Sequence, residues 1–151
     1  MKNLLTFPVS LLKNYLPHRP PMLWIDEVLW IREDEGECRV SLRKEAHYFD
    51  EEGMIRPSSL VEWMAQGYGF VRACQILNRQ DEGLKKPEKT YLAAISDVAF
   101  HENCRDVIKP GGDIRIHIRT VRELGPLMLV QADIRTEKTN LASGHLKVYG
   151  A

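Results

Sequence analysis

Residues 57–80 read PSSLVEWMAQGYGFVRACQILNRQ, and the fold turns on how this stretch is read. Its apolar residues are Leu60, Val61, Trp63, Met64, Tyr68, Phe70, Val71, Cys74, Ile76 and Leu77, and they fall on nearly every side of a helix rather than along one stripe. A helix apolar all round is wrapped by other structure. Pro57 suits a first helical position, where its missing N–H costs nothing, and Ser58 and Ser59 are available as caps. Gly67 and Gly69 cost helix propensity in the middle, which predicts that a sheet or a partner's backbone approaches closely there. One residue resists this apolar reading. Glu62 carries a carboxylate in the second turn, a group that is costly to bury unless it is paired or kept neutral.

The wrapping is read from runs of period two. MLWIDEVLWI (22–31) and ECRVSLR (37–43) predict a hairpin turned at EDEG, with Cys38, Val40 and Leu42 alternating against polar neighbours. DEGLKKPEK (81–89) reads as a solvent loop, and after it come YLAAISDVAF (91–100), DIRIHIRTVREL (113–124), LMLVQADIRT (127–136) and LASGHLKVYG (141–150). Ile114, Ile116 and Ile118 face one side and Arg115, His117 and Arg119 the other; Met128, Val130, Ala132 and Ile134 repeat the alternation. Gly125-Pro126 and Glu137 to Asn140 supply turns, so the last three runs predict an antiparallel meander. The expectation is an α+β fold, a curved antiparallel sheet around one long central helix, in a single domain over residues 1–151.

Bulk properties exclude several functions. Twenty-one Lys and Arg balance twenty-one Asp and Glu, which leaves no broad basic field for a nucleic acid. Cys38, Cys74 and Cys104 are odd in number and form no Cys-x-x-Cys pair, which favours a reducing compartment over a disulfide framework or a zinc site. At the N-terminus, Pro8 interrupts the apolar run of MKNLLTFPVSLL and no small-residue cleavage site precedes Lys13, so a short amphipathic helix starting near Pro8 is expected rather than a secretion signal. No run approaches the ~20 apolar residues of a membrane span, and a cytoplasmic protein is expected.

Four segments carry a resemblance: LPHRPPMLWIDEV (16–28), the stretch at His47, EWMAQ (62–66) and VIKPGGDI (107–114). Their order and approximate spacing resemble those of the hotdog-fold 3-hydroxyacyl-[acyl-carrier-protein] dehydratases, above all the divergent branch associated with aryl polyene clusters. The resemblance covers nearly the whole chain and implies a lyase that needs no metal or other cofactor, giving a trans-2-enoyl product in fatty acid or polyene-type synthesis. Such a reaction requires a base at C2, an acid for the C3 hydroxyl and a donor for the thioester oxygen. His47 matches the family's loop histidine and is implied as the base. Glu62 matches the helix carboxylate and is implied as the acid, kept protonated by an apolar setting. A backbone amide at Ser58 or Ser59 would hold the thioester oxygen. Trp63, Gln66 and Tyr68 are candidates to line an acyl tunnel, with core packing as the default.

The resemblance also implies partners: acyl carrier protein or coenzyme A thioesters as substrate, and at least a homodimer, or a heterodimer, in which His47 and Glu62 meet across the interface. Arg56, Arg72, Lys85, Lys86 and Lys89 are candidates for a carrier-docking rim. His18 is expected to order the turn after the first helix, and His117 to lie on a solvated or interface face. Two departures stand out. The family's histidine is followed by Phe-Pro-Gly, whereas Tyr48-Phe49-Asp50-Glu51 stands here and predicts a more acidic, looser loop. The family's helix opens Pro-Gly, whereas Arg56-Pro57-Ser58 stands here, and Pro57 has no amide hydrogen to offer. A hotdog thioesterase and a non-catalytic acyl-binding subunit are the alternatives.

Overall fold

A computed structural model of the chain describes residues 7–8, 22–78, 90–101 and 104–150. The quoted stretch is helix α1, Pro57–Asn78, and Leu60, Trp63, Met64, Phe70, Val71 and Cys74 on it are each 2 % exposed or less. Gln66, Ala73 and Ile76 are buried on its other sides, so the helix is enclosed as its composition requires. Each fully buried large apolar side chain contributes roughly 1.5–3 kcal/mol of transfer free energy.

Around α1 run β1 (Phe7–Pro8), β2 (Glu27–Ile31), β3 (Glu35–Ser41), β4 (Thr90–Phe100), β5 (Asp113–Leu124), β6 (Leu127–Arg135) and β7 (Asn140–Gly150), with a short helix α2 (Cys104–Val107) before β5. They form one antiparallel sheet of order β1-β2-β3-β5-β6-β7-β4. This is the hotdog arrangement. The sheet does not close, and α1 packs against β2, β3, β5, β6 and β7.

Register explains the core. Cys38, Ile116, Ile134 and Ala142 are successive partners across β3, β5, β6 and β7, and all four are buried under α1. Arg115, His117 and Arg119 point to the opposite face, as the alternation predicts. The close approach expected at Gly67 is made by the sheet: a Cβ there would lie 2.7 Å from Ile116 Cγ2. Burial pushes the Cys74 thiol up to about 12 and that of Cys38 well above its ordinary value, so neither is a ready nucleophile.

The structure differs from the sequence reading at two places. Strand β2 begins at Glu27 rather than at 22, because α1 takes the backbone upstream: the Trp24 amide donates to Gln66 Oε1 at 3.0 Å, and Gln66 Nε2 donates to the Met22 carbonyl at 2.8 Å. Pro8, expected near a helix start, pairs with Glu27 as part of β1. The remainder of that helix, His18, and Lys85, Lys86 and Lys89 lie outside the described residues. Among the described residues, no helix is long and apolar enough to cross a membrane.

Candidate active site

His47 lies in the loop from Leu42 to Arg56, between β3 and α1, and its side chain is exposed. The loop is tied down rather than loose, which corrects the expectation drawn from its acidity. Tyr48 is fully buried: its hydroxyl accepts a hydrogen bond from the Arg43 amide at 2.7 Å and donates to the Ser41 carbonyl at 3.2 Å. Burial pushes the Tyr48 pKa up, with the Arg43 amide pulling it partly back, so the hydroxyl keeps its proton. Its ring packs at 4.9 Å from Trp63, 5.0 Å from Phe49 and 5.4 Å from Trp24. The acidic residue Asp50 closes the turn that follows, accepting from the amides of Glu52 and Met54 at 2.9 Å each, and Gly53 takes the left-handed conformation that turn needs.

The start of α1 is joined to the same loop. The Tyr48 carbonyl accepts two hydrogen bonds, from the Arg56 amide at 2.9 Å and from Ser59 Oγ at 3.0 Å. Ser59 is 1 % exposed, and its own amide donates to the Arg56 carbonyl at 2.9 Å. Of the two residues expected to offer an oxyanion amide, Ser59 has therefore spent its own. Ser58 is exposed, and its amide has no partner among the described residues.

Glu62 is half-buried on the second turn and accepts a hydrogen bond from Gln66 Nε2 at 2.9 Å. That bond follows from the i, i+4 spacing of a helix. Gln66 is itself completely buried, with Nε2 shared between Glu62 and the Met22 carbonyl and Oε1 held by the Trp24 amide. Trp63 is fully enclosed between Tyr48 and Trp24, and its indole N–H has no partner among the described residues. Tyr68, 6 % exposed, lies further along α1 and donates to Met128 Sδ at 3.0 Å. The structure thus gathers Ser58, Ser59, Glu62, Trp63 and Gln66 at one end of α1 beside the His47 loop, with Tyr68 deeper in the core. It does not join His47 to Glu62: the imidazole makes no hydrogen bond or ion pair with any described residue.

The expected docking rim is split. Arg56 is exposed beside the loop, whereas Arg72 is 16 residues further on, about 24 Å along the helix at 1.5 Å per residue, and faces Glu123 at 4.0 Å.

An exposed loop histidine, a helix carboxylate steadied one turn on and a first-turn amide with no partner among the described residues are the parts that the resemblance implies for a thioester dehydratase. The family model described as ApeP-like, ApeP dehydratase, matches residues 10–151. The chain belongs to the ApeP-like dehydratase family. A 3-hydroxyacyl-[acyl-carrier-protein] dehydratase FabZ from Rhodopseudomonas palustris (strain BisB18) is 30% identical over 121 residues, covering 77% of this chain and 74% of that protein. The FabZ of Lactococcus lactis subsp. lactis is 25% identical over 146 residues, 91% of each chain. Among solved structures, the dehydratase heterocomplex ApeI:P from Xenorhabdus doucetiae aligns with a TM-score of 0.77 at 19% identity, over 96% of this chain and 91% of that one. At that identity the likeness shows the hotdog fold.

In this ApeP-like chain, one feature of the site is legible in the sequence and another is not. The Gln66–Glu62 bond was open to detection from its spacing of four. Tyr48 was not, because its partners Ser41, Arg56, Ser59, Trp24 and Trp63 are brought to it only by the fold.

Proposed function

We propose that this ApeP-like chain dehydrates 3-hydroxyacyl thioesters, presented on acyl carrier protein or coenzyme A, to trans-2-enoyl thioesters. The observation that carries this reading is a half-buried carboxylate at the start of α1, oriented by Gln66, next to a hydrogen-bonded loop that displays an exposed histidine. His47 takes the C2 proton, and negative charge builds on the thioester oxygen. The Ser58 amide, at the positive end of the helix dipole, meets that charge. Glu62 gives its proton to the C3 hydroxyl, which leaves as water as the C2–C3 double bond forms. Transfer of the captured proton from His47 back to Glu62 through solvent resets the pair. Each of these steps is a proton transfer that side chains can perform. The acyl chain would run past Trp63 and Tyr68.

The site is completed by a second chain. His47 and Glu62 of one chain share no hydrogen bond or ion pair, and in the dehydratases that the sequence resembles the pair meets across a subunit boundary. Strand β4 supports such pairing: it is an eleven-residue edge strand, bonded to β7 on one side and to no other strand among the described residues, and it exposes Leu92 at 45 % and Phe100 at 46 %. A second copy of this chain, continuing the sheet there, is the partner favoured here. The mass of the purified assembly distinguishes it from a pairing with a hotdog relative.

The function is tested by incubating the purified protein with a 3-hydroxyacyl thioester on carrier protein while following enoyl absorbance and free thiol together. Enoyl formation without thiol, lost in His47→Ala and in Glu62→Gln, is expected. Thiol release without enoyl would replace dehydration by hydrolysis.

A further inference from the structure

We propose that Tyr48 and Ser59 are positioning residues of this site, fixing the backbone of the His47 loop against the first turn of α1 so that the base and the Ser58 amide move as one body. The inference rests on the dehydratase reading and extends it to residues that touch no substrate.

His47 has no side-chain partner among the described residues, so its place is set by the chain on either side of it. On one side the next residue is anchored three ways. The Tyr48 ring is 0 % exposed among Trp24, Phe49 and Trp63; its hydroxyl bridges Arg43 N and Ser41 O at the end of β3; its carbonyl takes hydrogen bonds from Arg56 N and Ser59 Oγ. Ser59 is the matching element on the helix. Its hydroxyl reaches back eleven residues to the loop, while its amide closes the turn on the Arg56 carbonyl, directly around Pro57 and Ser58. Arg56 therefore holds Tyr48 with its amide and Ser59 with its carbonyl, and the Ser58 amide lies within this closed set of bonds.

The physical need is clear from what the loop lacks. A proline would stiffen the segment by restricting φ in the chain itself, but residues 47 to 55 contain none. Hydrogen bonds from Tyr48 and Ser59 supply the restraint instead, and a displacement on the order of 1 Å at a reacting group is enough to lose about a hundredfold in rate.

The test compares Tyr48→Phe, which keeps the buried ring and removes the hydroxyl, with Ser59→Ala, which keeps the helix and removes the hydroxyl bonded to the loop. Each is assayed by enoyl formation in the purified assembly beside wild type and His47→Ala. Expected is a fall in kcat of about tenfold for each single variant, with KM within about twofold and the circular dichroism spectrum unchanged. A role in folding alone would instead reduce the amount of active protein, leaving kcat per correctly folded site unchanged. Wild-type kcat in both variants, with His47→Ala inactive, would overturn the positioning role and leave the dehydratase reading standing. Undiminished turnover in His47→Ala would remove both.

Discussion

Glu62 and His47 are the two halves of one proposed acid–base pair, and the chain treats them differently. Glu62 is half-buried and steadied by a buried glutamine that is itself locked to the backbone of residues 22 and 24. His47 is exposed, its imidazole bonded to no described residue, although the backbone beside it is among the most heavily bonded in the loop. Hydrogen bonds place the backbone of both residues, but among the described residues only the carboxylate's side chain is itself met by a bond from its own chain. Such a division suits a site whose histidine is met by a carboxylate from elsewhere.

The comparison breaks most visibly at the pair itself. His47→Ala and Glu62→Gln are each expected to lower kcat by about 10²–10⁴-fold, as removal of a general base or acid does, with the fold intact by circular dichroism. Wild-type rates in either would take that residue out of the chemistry. The next effect separates the steadied half from the exposed one. Gln66→Leu removes three hydrogen bonds made by a fully buried side chain, to the Trp24 amide, the Met22 carbonyl and Glu62; a loss of about 2–4 kcal/mol in urea unfolding is expected, together with a lower kcat. An unchanged midpoint would show that Gln66 anchors nothing.

A smaller effect is expected at the sheet edge. Lysines in place of Leu92 and Phe100 put charge on exposed positions of β4, so each folded chain should keep its stability while association weakens by about tenfold or more in sedimentation. Unaltered assembly would move the interface away from β4.

The smallest effect lies on the outer face of the sheet. There His117 Nε2 is 2.8 Å from Glu35 Oε2, and its Nδ1 is 4.0 Å from Asp133 Oδ2. Asp133 and Glu35 together raise the His117 pKa against the opposing effect of burial. His117 in turn lowers Asp133, and it also lowers Glu35 together with Arg32, outweighing the burial that pushes Glu35 up. A raised histidine contributes stability below its ordinary value of 6.5 and loses it as pH rises through the higher folded value. The lowered carboxylates contribute above their ordinary values of 3.8 and 4.5 and lose that contribution in acid. The cluster therefore stabilises most between about pH 4.5 and 6.5. Above about pH 6.5 melting temperatures should fall less steeply toward alkaline pH in His117→Gln than in the parent; parallel curves there would exclude the cluster as a source of pH dependence.

Much of this architecture is legible before folding is considered. The all-round apolar character of 57–78 requires an enclosing sheet, and the alternations at Ile114 to Ile118 and Met128 to Ile134 give the core face of β5 and β6 residue by residue. The early boundary of β2 is not legible, because Met22 and Trp24 are claimed by a glutamine more than forty positions away. For the site, His47 and Glu62 stand out only through the order of the surrounding motifs; nothing in their own spacing requires them to cooperate. The stiffness of the loop was hidden because acidity suggests mobility, whereas Asp50 uses its carboxylate to close a turn and Tyr48 turns inward.

Complementation tests the shared site most directly. His47→Ala and Glu62→Gln proteins, each inactive alone, are mixed, dissociated and reassembled, and enoyl formation is measured. If each site takes its histidine from one copy and its carboxylate from the other, half of the random dimers carry one intact site, so recovery of about a quarter of wild-type turnover is expected. A mixture as inactive as its parents, when wild-type protein taken through the same treatment regains full activity, would contradict a site shared between two copies of this chain.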